Sequence, residues 1–250
     1  MTELQPHFAI DLGTTNLSVG CFIGEAGTKP TPKNSAILRL QDNREEVPQI
    51  VGFIREQSNW RFVWGCEVRT LERLRGQGRV QKQDLVTFKW LKMCLYPSDQ
   101  QLRTANEIKK QLLDMGTDFE GYDRDWTWLL ELHLREIRIT AIEAAQRQFH
   151  ARGWDPEVLA HVMARPINFI AVPEVSTPND HVMMMEIITA AGYPPSAGLF
   201  YETETAGAWA VERLVAHLPD GVFLGSLFEV STDFSIDAMT AKGKQRQTNE

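Results

Sequence analysis

Basic residues are in deficit. Lys and Arg number 26 against 33 Asp and Glu in 250 residues, for a formal net charge of −7. A nucleic-acid backbone is bound through a dense basic surface, so this balance disfavours a nucleic-acid partner. Cysteine is also scarce. Cys21, Cys66 and Cys94 are odd in number and none belongs to a CxxC pair. That pattern argues against a disulfide framework or a zinc site, and for free thiols in a reducing compartment. No run of about 18 apolar residues occurs, so no transmembrane helix is expected. The opening MTELQPHFAID has no basic region followed by an apolar one, so no signal peptide is expected and the address is the cytoplasm. His133, His150, His161 and His181 lack metal-ligand spacing such as HExxH. No Ser-His-Asp or Cys-His arrangement stands out, and there is no internal repeat.

What is present is an ordinary globular composition, 43% hydrophobic and 24% charged. Phe8–Leu12, Leu17–Ile23 and Ser35–Leu40 read as an antiparallel three-stranded meander. Val47–Ile54 and Arg61–Val68 are further strand candidates, Thr70–Arg75 a short helix, and Leu85–Leu95 a helix or strand–helix junction. Residues 97–123 are polar and give no clear pattern. Leu130, Leu134, Ile137, Ala141 and Ala145 fall on one face of a helix over 125–150, with Gly153 as its stop. Phe169–Val172 is a buried-strand candidate. Thr177 as N-cap, Pro178 at the first position and Gly192 beyond the end frame another helix. Leu199–Tyr201 is a short strand leading into a helix over 205–216, with strands at Val222–Glu229 and Phe234–Thr240 to follow. The methionines Met183, Met184 and Met185 suit core filling.

The segment FAIDLGTTNLSVGCF, Phe8 to Phe22, is a strand, a polar turn and a second strand. Gly13 has no Cβ, so its backbone would let a phosphate approach closely. Successive N–H groups around Gly13, Thr14 and Thr15 would form an anion nest, with the threonine hydroxyls as added donors. Asp11, at the strand end, is placed to hold Mg²⁺ through water. A plain hairpin turn with polar residues would look the same in isolation.

The motifs downstream keep a definite order. VPQIVGF and WGCEV, WLKMCLYP, FIAVPEVSTPNDHVMMMEIITAAGY and FYETETAGAWAVERL follow FAIDLGTTNLSVG over roughly residues 7–215. In that order they resemble the "VPT…F" and "WG", "WFKLLLDP", "VTVPA…ND…A…AAGL" and "ISEPEAAAL" segments of the divergent branch of the seventy-kilodalton heat-shock chaperones. That branch lies within the actin, hexokinase and heat-shock-70 superfamily. The resemblance implies an α/β, actin-like (ribonuclease H-like) ATPase first lobe with an inserted α+β subdomain and a second lobe truncated to its first hairpin. The implied division is 1–45 with 160–218 as the core of lobe I, 46–159 as the insertion, and 219–250 as the start of lobe II.

The same resemblance implies a site for ATP or ADP with Mg²⁺. Asp11, Gly13, Thr14, Thr15 and Asn16 fall on the first phosphate loop, with Asp11 toward the metal. Lys92 falls on the lysine that reaches the phosphates and the attacking water, with Lys89 as a rival. Glu202 falls on the glutamate that organises metal and water, with Glu204 as a rival. Two departures stand out. The family's second phosphate motif, D-L-G-G-G-T, is matched here by FEVSTDFSIDAMT, where Ser231 or Thr232 would replace its threonine and no glycine remains. The chain also ends shortly after that hairpin, without the family's adenosine-binding residues. Weak nucleotide binding and weak or absent ATPase activity are therefore expected. The alternatives are a non-enzymatic interaction module, binding a protein partner or itself through the surface left by the missing lobe, and a sugar-kinase-like phosphotransferase.

Overall fold

The computed structural model describes residues 4–25, 28–57, 59–89, 91–95, 99–172, 178–194 and 197–201. Met1–Phe200 forms one compact unit and Tyr201–Glu250 a second. Of the second unit only Tyr201 is described.

The expected meander is present. Strand β1 (Gln5–Leu12) pairs antiparallel with β2 (Asn16–Gly24), which pairs in turn with β3 (Ser35–Ile37). Alternation decides the faces: Phe8, Ile10 and Leu12 are buried, as are Leu17, Val19, Cys21 and Ile23. The third strand stops three residues earlier than its sequence suggests, because Leu38 and Leu40 turn into the core. Strand β4 (Glu46–Pro48) lies along the near end of β2, with Asn16 opposite Pro48. On the other side of β1, strand β8 (Ile167–Val172) runs parallel to it, followed by β9 (Gly198–Tyr201). The order β3-β2-β1-β8-β9, with β4 beside β2, makes a mixed sheet.

A second sheet, β6-β5-β7, is wholly antiparallel. It comprises β5 (Ile50–Glu56), β6 (Asn59–Trp64) and β7 (Leu85–Lys89). Arg61–Val68 is not all strand. Gly65 has φ +63°, where a side chain would be strained and would run into Gln41 and Val47. The chain turns there into helix α1 (Cys66–Gly76), longer than the expected helix at 70–75. The Gln41 side chain accepts from the Cys66 N–H at 2.7 Å, satisfying one of the free donors at this helix start. Ile50, Val63 and Val68 form a small core between sheet and helix. Phe53 sits in an aromatic cluster with Phe62, Phe88, Phe119 and Trp128.

Two helices gave no clear sequence signal. Helix α2 (Asp99–Asp114) lies in the polar stretch at 97–123, and α4 (Pro156–Met163) is an eight-residue helix capped by Asp155. The expected long helix is α3 (Trp126–His150), with Asp125 as its N-cap. All five residues of its anticipated apolar stripe are buried. It packs against α4 and against α5 (Pro178–Ala190). Of the three methionines expected to fill the core, Met184 on α5 is fully buried, whereas Met183 and Met185 are half-buried. Gly192 and Gly153 take positive φ after their helices, 85° and 88°. All three cysteines are buried and free. Among the described residues, no helix is long and apolar enough to cross a membrane.

Candidate functional site

The turn between β1 and β2 is built by register. Leu12 faces Leu17 across the hairpin, leaving Gly13, Thr14, Thr15 and Asn16 at its tip. A Cβ on Gly13 would collide with the carbonyl oxygen of Asn16. Glycine is thus required by the turn itself, apart from any ligand. The turn is anchored from outside, because the N–H of Gln49 donates to the Thr15 carbonyl at 2.8 Å.

Thr14 and Thr15 line a small cleft together with Pro48, Gln49, Ile50, Arg69 and Lys89. Its volume is about 60 Å³. Arg69 comes from α1 and Lys89 from the end of β7, where it sits opposite Ile50. The Lys89 ammonium is 3.0 Å from a carboxylate oxygen of Glu72, one helical turn beyond Arg69. Two threonines and two cationic residues thus border one cleft, and one of the cations, Lys89, is paired with a carboxylate. Gln49 is only 6% exposed, and both polar atoms of its amide lack a hydrogen-bond partner among the described residues.

The other expected site residues are placed differently. Lys92 lies on a 3-10 segment (Leu91–Leu95) and is only 4% exposed, and it is not among the residues lining the cleft. Of Lys89 and Lys92, Lys89 is the one that lines the cleft with the threonines. Asn16 is not among the residues lining the cleft, and its amide donates to Glu46 at 3.3 Å. It lines a wider depression with Arg39, Asn43, Arg44 and Glu45. Asp11 is exposed at the end of β1, opposite Ser18 and Ala171. Among the described residues, no group of three or more His, Cys, Asp or Glu could hold a metal. Asp11 is not among the residues that line the cleft with Thr14 and Thr15. Glu202, Glu204, Ser231 and Thr232 lie outside the described residues.

Gln49 and Arg69 did not stand out in the sequence as site residues. Gln49 did leave a trace, as the one amide within the apolar run VPQIVGF. Arg69 left none, since an arginine on an exposed helix face is ordinary. Against known proteins, the chain matches no protein-family model and no curated protein.

Proposed function

We propose that this chain is a cytoplasmic, heat-shock-70-like protein of the actin-like ATPase fold that binds ATP or ADP with Mg²⁺ weakly, with little or no hydrolysis. The observation that carries the proposal is the meeting of Thr14 and Thr15 with Lys89 and Arg69 around one cleft. Hydroxyl donors and cations at a glycine turn are what a phosphate group needs. The antiparallel β1-β2-β3 meander with β8 parallel to β1 supports the fold assignment. The cleft of about 60 Å³ suits one phosphoryl group and is far below the ~300 Å³ or more of ordinary ligand pockets. Base and ribose would gain little from it, which is why the affinity is placed low. Calorimetric titration with Mg·ATP tests the proposal, and no saturable heat at millimolar nucleotide refutes it.

A second reading, an interaction module that self-associates, is favoured by a shallow apolar depression beside β3. His7, Phe22, Ile37 and Phe169 line it, and Ile37 is 55% exposed. Light scattering on nucleotide-free protein separates the two. A dimer supports the module, whereas a monomer that turns over ATP removes it.

A further inference from the structure

Glu72 lies beside the candidate cleft without forming part of its wall. Thr14, Thr15, Arg69 and Lys89 line the cleft, and Glu72 does not. It is nevertheless tied to the site, because the Lys89 ammonium is 3.0 Å from its carboxylate. Arg69 and Glu72 stand at i and i+3 on α1, so they share one face of that helix. Arg69 makes no ion pair among the described residues. The two cations of the cleft thus differ. One is open to an incoming anion, and the other already holds a counter-ion.

That ion pair can exchange. The Lys89 side chain is 47% exposed and the Glu72 side chain 18%, and pairs open to water are held weakly. A lysine ammonium is a point charge with three donors on a flexible stem. Glu72 takes up part of that capacity and cancels one unit of charge. An anion entering the cleft must share Lys89 with Glu72 or draw it away. If the lysine is drawn away, the uncovered carboxylate repels the same anion. With Glu72 counted, Arg69 and Lys89 leave one net positive charge around the cleft instead of two.

We propose that Glu72 is a positioning residue that competes with a bound phosphate group for Lys89 and so holds down the anion affinity of the cleft. This rests on reading the β1–β2 turn as a phosphate site. It goes beyond that reading by naming a residue outside the cleft that sets its strength. It also gives low affinity an electrostatic cause besides the small size of the cleft. When phosphate enters, the Lys89 ammonium turns from the Glu72 carboxylate toward a phosphate oxygen, and Arg69 donates to a second oxygen.

The test is calorimetric titration of the whole chain with inorganic phosphate, at low salt so that exposed charges are little screened. Glu72→Gln keeps the shape of the side chain and removes its charge. It is expected to bind phosphate about three- to fivefold more tightly than the wild type, the scale of a part-exposed ion pair. In a Lys89→Ala background the same change is expected to gain less than about twofold, because the competition is for Lys89. A merely structural role for Glu72 would neither raise the affinity nor depend on Lys89. Weaker binding by Glu72→Gln overturns the proposal. So does an equal gain in the Lys89→Ala background, which would make Glu72 a general repulsive charge. If the wild type and Glu72→Gln bind phosphate equally, the competition fails and the phosphate site stands. If neither binds, the phosphate reading fails with it.

Discussion

The N–H of Gln49 donates to the carbonyl of Thr15 at 2.8 Å, tying the tip of the first hairpin to the chain between β4 and β5. The turn therefore has support from a second segment of the chain. Its inner side is filled, since the Asn16 carbonyl occupies the space a Cβ on Gly13 would need. Gly13→Ala is expected to force the turn apart and to cost about 1–3 kcal/mol, the usual range for overpacking. Urea denaturation measures the loss, and an unchanged midpoint would show that the turn relaxes freely.

Lys89 and Lys92 are expected to separate in their effects. Lys89 lines the cleft, and its ion pair with Glu72 is half exposed on the lysine side, so it contributes little to stability. Lys89→Ala should weaken phosphate or nucleotide binding by about tenfold, within the range for a hydrogen bond to a charged group, and leave the melting temperature nearly unchanged. Lys92 is almost wholly buried. Lys92→Ala should instead destabilise the fold, on the order of 1–3 kcal/mol, with ligand affinity retained in the folded fraction. Paired melting and binding curves on the two variants would show the opposite assignment if Lys92 were the phosphate lysine.

His133 gives the fold an acid limb. Its ring is fully buried on α3, 5.4 Å from that of Trp64, and burial pushes its pKa from 6.5 down to about 3. The folded protein holds this histidine neutral, whereas the unfolded chain protonates it below its ordinary pKa. The unfolded state then binds more protons, so stability falls as the pH drops. The contribution is complete above about 6.5 and is lost progressively from there down to about 3. Between about pH 7 and pH 5 the loss is on the order of 2 kcal/mol. His133→Met cannot titrate and should flatten the difference in urea midpoint across that interval. An equally steep variant would place the sensitivity elsewhere.

Asp125 starts the longest helix. Its carboxylate accepts from the Thr127 N–H at 2.9 Å and from the Thr127 hydroxyl at 2.5 Å. Asp125→Ala should cost about 1 kcal/mol, as loss of an N-cap usually does, while Asp125→Asn keeps an acceptor and costs less. Thermal unfolding of the pair distinguishes capping from a general charge effect, which would make the two variants alike.

Periodicity made much of the framework legible. The alternation of Leu17, Val19, Cys21 and Ile23 and the stripe from Leu130 to Ala145 are local patterns, and each is buried where its period requires. Helix α2 was hidden because its exposed face, including Lys109 and Lys110, is polar enough to resemble a loop. Gly65 hid the start of α1, since a strand-like run continues into it and only its positive φ marks the break. The turn Gly13–Thr15 was visible as a motif. Its neighbours were not, because Gln49, Arg69 and Lys89 reach it from β4–β5, α1 and β7 through pairings that sequence spacing does not encode. Which lysine borders the turn, Lys89 or Lys92, depends on the same long-range contacts.

The most direct measurement is a Mg·ATP titration of wild-type protein beside Thr14→Val, which removes one cleft hydroxyl and keeps the shape. If the hairpin turn is a phosphate site, the wild type saturates at millimolar nucleotide or below and the variant binds about tenfold more weakly, the loss of a hydrogen bond to a charged group. Saturable binding that is identical in the two proteins, or none in either, would contradict it.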